Sequence, residues 1–383
     1  MIQTPMRLSS CLNANCSAQD MDQGMNMGDM GLDLPSFSAS GKSPKEKFER
    51  MARYNFPLDH QLNLQGVNAV TITEKPSDHD TIVHFLKTAP QHPKSDDDIA
   101  LSNPVIGFER LRQVNMELTD RRHLLSDLFL LLTGHAIPDL KATYRTFNNV
   151  ESLNSNNAEL AAYSVDPLPE IQPAVCWGSK PPALDQLNQG FLDCARFAIP
   201  HLGGPAQGGV HLVAPNMFLE VAMPHESFSS AVLECRYEGA FGARAVYVLA
   251  GFDKNNETVN NGSAAAPGSS FRAHQVAADR RSYNGSALAF SAAYGDGQLR
   301  LYSHWLHVAH QPALTAGPAI TVGQQPQVGL LSNRQVEFRM AQLGAWSMTG
   351  DVETFRKGVV AFRNLARMAR VKRRAAVRES LKR

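Results

Sequence analysis

Cysteine is scarce in this chain, and what there is forms no pattern. The five cysteines, Cys11, Cys16, Cys176, Cys194 and Cys235, are odd in number, scattered and without a C-x-x-C pair, which argues against a disulfide framework and a thiolate zinc site. They read as reduced thiols of an intracellular protein. Long apolar runs are lacking too. None approaches the roughly 18 residues needed to cross a bilayer, and the opening Met1-Ile2-Gln3-Thr4-Pro5 has no apolar core of the kind an export signal carries. No membrane partner is expected. Two common catalytic signatures are also missing. Gly203-Gly204-Pro205-Ala206-Gln207-Gly208-Gly209 has no lysine and is not a phosphate-cradling G-x-x-x-x-G-K loop, and no G-x-S-x-G nucleophile elbow occurs.

Net charge of either sign is nearly absent, at +1, but its distribution is lopsided. Residues 356–383 hold 11 of the 37 Lys and Arg and one acid, Glu379; the remainder has 26 basic and 35 acidic residues, so a body of −9 carries a tail of +10. Such asymmetry points to an acidic partner for the tail, either nucleic acid or an import receptor, or to a basic helix bound to its own acidic body. Lys372, Arg373 and Arg374 are the densest part of that tail and the candidate phosphate contacts or import signal.

With 383 residues, 43% of them hydrophobic, the chain has enough apolar side chains for a sizeable core. Residues 1–44, rich in Met, Ser, Asn, Asp and Gly without periodicity, read as a disordered tail. A helix is expected to start at Ser43-Pro44-Lys45-Glu46, with Phe48, Met51 and Ala52 on one side. Helix is also expected from about Asn103 to Gly134, where Leu124, Leu125, Leu128, Leu131 and Leu132 recur at helical spacing. Together these predict a helical N-terminal module over 45–145.

From Phe147 onward short β-type runs alternate with Pro and Gly. Val175-Cys176-Trp177, Met217–Val221, Arg244–Leu249, Ala287–Tyr294, Gln298–Trp305 and Val336–Met340 read as strands. Gly295-Asp296-Gly297 is a hairpin turn. Ala231, Cys235 and Gly239, four apart, give the Ser227–Gly239 segment a small-residue face for packing on a sheet. Met217–Val221, this helix and Arg244–Leu249 would then form a βαβ unit with parallel strands. Residues 252–283 read as a mobile polar insertion. A last helix begins at Thr349 or Asp351 and carries Val352, Phe355, Val359, Phe362 and Leu365 on one side.

In a strand, residues two apart share a face, so Glu220 and Ala222 project to the same side. Metal-dependent nucleases use that spacing for a Mg²⁺-binding carboxylate and a lysine that steadies charge at the phosphate, with an aspartate from a neighbouring strand completing the metal site. His304, His307 and His310, three apart, are a weaker metal candidate, because they follow directly on a strand and no carboxylate stands near them in sequence.

Four blocks carry a family resemblance. Pro173-Ala174-Val175-Cys176-Trp177-Gly178-Ser179-Lys180-Pro181-Pro182-Ala183-Leu184-Asp185 resembles "PDxxxGxRPxxLD" of a widespread, largely uncharacterised fungal family with a PD-(D/E)XK, restriction-endonuclease-like fold. Ala214–Ala222 is similar to its "APNFFLEVK" and Arg236–Ala245 to its "CYDGALGARA". Met340–Asp351, with Thr354-Phe355-Arg356 and Ala361–Asn364, resembles "MTQLxxWAMTGDxxTF" and "AFRN". The resemblance implies an α/β domain over 146–370, a PD-(D/E)XK-like mixed sheet flanked by helices, followed by a basic tail over 371–383.

The departures fall on the chemistry. Ala174 stands where the family has the Asp of its PD pair, Ala222 where it has the Lys, and Leu233-Glu234 where it commonly has Arg-Gln. Glu220 alone remains, as a vestige of the site. A single carboxylate with neither a second acidic ligand nor a lysine binds Mg²⁺ poorly. The expectation is a non-catalytic nuclease-fold protein, without a cofactor, that binds nucleic acid or a protein partner in the nucleus. Glu170, four residues before Ala174, would restore a Mg²⁺-dependent nuclease only if a bulge folded it back into the place of the missing Asp. A protein-interaction modulator without nucleic-acid affinity is the other alternative.

Overall fold

The short runs from Phe147 onward pair with two segments from earlier in the chain in one mixed sheet. The computed structural model describes residues 59, 62–63, 67–70, 73–88, 99–117, 121–134, 140–143, 147–148, 172–179, 201–202, 212–223, 226–251, 285–308 and 336–381. The expectations for residues 1–44, the helix at Ser43, the Gly203–Gly209 loop and the 252–283 insertion lie outside them. Among the described residues the strands are β1 (Val67–Val70), β2 (Leu140–Thr143), β3 (Phe147–Asn148), β4 (Val175–Ser179), β5 (His201–Leu202), β6 (Val213–Val221), β7 (Ala289–Gly295), β8 (Gln298–Val308) and β9 (Val336–Ser347). Their order is β1-β9-β8-β7-β6-β4-β2, with β3 on β5 and β5 on β6. The β1–β9 and β6–β7 pairs are parallel and the others antiparallel. The chain is thus an α/β protein with a mixed sheet flanked by helices.

The β7–β8 connection follows from its turn residues. Asp296 and Gly297 both have positive φ, +49° and +70°, which is the two-residue hairpin geometry that Asp-Gly favours because it matches the twist of the flanking strands.

The helices are α1 (His79–Lys87), α2 (Ile99–Ser102), α3 (Pro104–Met116), α4 (Arg121–Thr133), α5 (Phe228–Gly251) and α6 (Val352–Leu381). Asn103 caps α3, its side-chain oxygen accepting from the Ile106 N–H, with Pro104 at the first turn. Gly134, at φ +52°, follows the end of α4. Asp351 caps α6 by accepting from the Thr354 N–H at 2.8 Å and its hydroxyl at 2.7 Å.

One side of the sheet is covered by α6 with α1, α3 and α4 around it, in a core that joins Leu111, Leu128, Leu132, Phe355 and Phe362 to Trp177, Leu219 and Leu301. Each such side chain contributes about 1.5–3 kcal/mol on burial. The described residues of 45–145 are therefore not a separate helical module. They supply β1 and β2 to the sheet, and their leucines share its core, since no face of these short helices closes a core alone.

The other side of the sheet is covered by α5, and here a second expectation fails. Arg244–Leu249 is not a strand but the last part of that 24-residue helix. Val246-Tyr247-Val248-Leu249 is apolar without a break, and a short run of that kind fits a buried helix as well as a strand. The βαβ unit is real but closes further along the chain, on β7, whose Phe290 to Tyr294 pair in parallel with Met217 to Val221.

The basic end also differs from its expected form. No boundary falls at 370, because α6 continues unbroken to Leu381. Its last turns stay helical because Ala369, Arg373, Ala376 and Val377 are buried at helical spacing.

Candidate functional site

Antiparallel pairing of β4 with β6 sets Val175 opposite Leu219 and Trp177 opposite Met217, so Ala174 arrives beside Glu220. Strand alternation turns Leu219 and Val221 toward α6 and Phe218, Glu220 and Ala222 toward α5. The two strands suspected from the sequence thus meet, and Ala174, Glu220 and Ala222 come together.

What they build is closed. Glu220 is 1% exposed, with Ala174 at 1% and Ala222 at 3%. Its Oε1 accepts a hydrogen bond from the Ala174 backbone N–H at 2.6 Å. The carboxylate therefore ties the start of β4 to β6 beneath α5. A buried carboxylate that accepts from a backbone amide spends an acceptor site on the protein itself.

Neighbouring groups are polar but not arranged as ligands. Burial pushes the Cys235 thiol well up from its ordinary pKa, and the nearby Glu238, Glu220 and Glu234 carboxylates push it further. Its Sγ donates to the Ala292 carbonyl at 3.3 Å. Ser291 Oγ and His304 Nε2 share a hydrogen bond of 2.7 Å, and burial lowers the His304 pKa to about 3, so the ring is neutral. That ring lies over Gly239, where an added Cβ would overlap it. Among the described residues, no group of three or more His, Cys, Asp or Glu is placed to hold a metal ion.

These residues do not fit Mg²⁺. The divalent ion takes near-octahedral oxygen ligands and keeps several waters, whereas Glu220 is 1% exposed and its Oε1 is already taken by the Ala174 amide. Glu170 lies outside the described residues. The histidine cluster expected from spacing also fails: β8 is a strand, so His304 is buried toward α5 while His307 is exposed. His310 is outside the described residues.

The basic trio is divided among three environments rather than presented together. Arg373 is 2% exposed. It donates to Ser179 Oγ at 3.1 Å, to the Trp177 carbonyl at 3.2 Å and to Asn216 Oδ1. Lys372 pairs with Asp78 at 2.7 Å, and Arg374 is exposed. A contiguous accessible signal is not what Lys372-Arg373-Arg374 forms, because one helix turn sends successive side chains about 100° apart and Arg373 falls on the core side.

Sequence reasoning missed Glu234, Glu238 and His304 as buried polar residues. The signal for the two glutamates was their place on the helix, flanking Cys235 within the small-residue face. Nothing local marked His304, because its burial comes from the distant helix that crosses it. It also missed Arg363 and Asn364, which satisfy helix ends. Arg363 donates to the Leu131 and Leu132 carbonyls of α4 at 3.1 and 2.8 Å, and Asn364 donates to the Phe85 and Thr88 carbonyls at the end of α1 at 3.0 and 2.8 Å.

No protein-family model matches this chain, and no curated protein or solved structure does either.

Proposed function

We propose that this protein is a non-catalytic relative of PD-(D/E)XK nucleases that acts by binding nucleic acid. The observation that carries this reading is the state of Glu220: the one acidic residue left of the nuclease pattern is buried, bound to the Ala174 amide and flanked by alanines where the family has its Asp and Lys. Further support comes from the order of the four sequence blocks. The meeting of Ala174, Glu220 and Ala222 on two adjacent antiparallel strands adds to it. With alanine at both 174 and 222, the site lacks the aspartate and the lysine by which the family would hold its metal and steady the phosphate. The surplus of positive charge at the chain's end supports a polyanionic partner.

The test uses the purified full-length chain with labelled duplex DNA and RNA. The expected result is binding that weakens as salt rises, with the substrate intact after long incubation in Mg²⁺ or Mn²⁺. Cleavage that Glu220→Ala abolishes would make it an active nuclease. Intact substrate without any salt-dependent binding would leave the protein-interaction role in its place.

A further inference from the structure

Positive charge on α6 divides into side chains that are paired within the protein and side chains that are not. Arg373 and Lys372 are fastened within the protein, and Arg363 closes the end of α4. Arg356 and Lys357 are paired with Glu353. Arg367, Arg374 and Arg378 are different: none makes a hydrogen bond or ion pair with the described residues, and Arg374 and Arg378 are exposed.

Their spacing is seven and then four residues. At 100° per residue they fall within an arc of about 40°, and at 1.5 Å per residue they span about 16 Å along the axis. Arg370 lies on the same side but has contacts within the protein, so it is left out of the count. The far side of α6 holds Phe355, Phe362, Leu365, Ala369 and Arg373 in the core. The stripe is therefore mounted on a helix that cannot roll.

We infer that Arg367, Arg374 and Arg378 form a ridge that grips the phosphodiester backbone of double-stranded nucleic acid. This rests on the nucleic-acid reading above and gives it a surface. A duplex carries one negative charge per roughly 1.7 Å of axis, so a rigid row about 16 Å long meets a run of phosphates, and each guanidinium fork matches a phosphate in two-point geometry. A lipid surface is a poorer occupant. Helices that lie on membranes insert an apolar side, and the apolar side of α6 is already buried.

The test measures binding of the full-length chain to a labelled duplex of about 20 base pairs, as DNA and as RNA, over a series of KCl concentrations. Each phosphate contact contributes close to one unit to the slope of log affinity against log salt. Arg374→Ala with Arg378→Ala should lower that slope by about 2 for any sequence, and Arg374→Lys with Arg378→Lys should restore most of it. Arg356→Ala with Lys357→Ala should leave it unchanged. All three pairs are on the surface and should keep the melting temperature of the parent. If the parent binds with the expected salt slope and the alanine pair binds identically, the ridge is wrong while the nucleic-acid reading stands. If the parent shows no salt-dependent binding to either duplex, both fall.

Discussion

On the α6 side of the sheet Trp177 stacks on Phe129 at 6.1 Å and meets Phe362 edge-on at 5.9 Å. On the α5 side Ala231, Cys235, Gly239 and Ala243 bring the helix close to the strands around Glu220, Ser291 and His304, beside a smaller cluster of Phe218, Tyr237, Phe241 and Phe338. The first side gains its stability from large apolar surfaces, and its buried polar groups reach out to carbonyls as bolts. The second is a close approach of helix to strand, feasible because the helix has small residues there. Under the proposed nuclease-fold reading, the side of the sheet that bears Glu220 is the one that would need room for metal, water and phosphate. Here that room is filled.

The contrast is sharpest at two adjacent residues of α6. Arg373→Ala removes the partner of the Trp177 carbonyl and of Asn216 and leaves a cavity, so it should cost about 4 kcal/mol in urea unfolding. Arg374→Ala should stay within about 0.5 kcal/mol. Equal effects would mean that Arg373 is not a bolt. On the α5 side, Gly239→Ala forces the His304 ring to move and should cost about 2 kcal/mol, measured in the same way; an unchanged midpoint would show that this approach is looser than described.

The smallest expected effect is in pH. Burial keeps His304 neutral, with its pKa pulled from 6.5 to about 3. Between these values the unfolded chain binds a proton that the folded chain does not, so stability is complete above pH 6.5 and is lost as pH falls toward 3. Burial also lowers the His79 pKa, which acts in the same sense. From pH 7 to 5 the parent should therefore lose about 1–2 kcal/mol more than His304→Gln. Parallel losses in the two proteins would remove His304 from the account.

Where the sequence was legible, its patterns were local. The alternation of Met217–Val221, the Asp296-Gly297 turn and the Asp351 cap each follow from a few neighbouring residues, and each stands in the structure. Arg244–Leu249 was misread because six apolar-rich residues do not carry enough of a period to separate helix from strand. The buried residues at 235, 239, 242, 246 and 249 continue one helical face through it. The site was half legible. Spacing put Glu220 and Ala222 on one side of a strand, and the resemblance paired them with Ala174. Burial was hidden, because it depends on α5 crossing a strand from 70 residues further along the chain, and so was Arg373, whose acceptors are nearly 160 or more residues away. A run of basic residues says nothing about which of them faces the core.

The Glu220 carboxylate accepts from the Ala174 amide, and on the proposed reading it takes no cation. The most direct measurement is titration of the full-length protein with Mn²⁺, followed calorimetrically and by the signal of the free ion, alongside Glu220→Gln. The expected result is no stoichiometric site that depends on Glu220, and the same trace for both proteins. One Mn²⁺ bound per chain by the parent and lost in Glu220→Gln would contradict it.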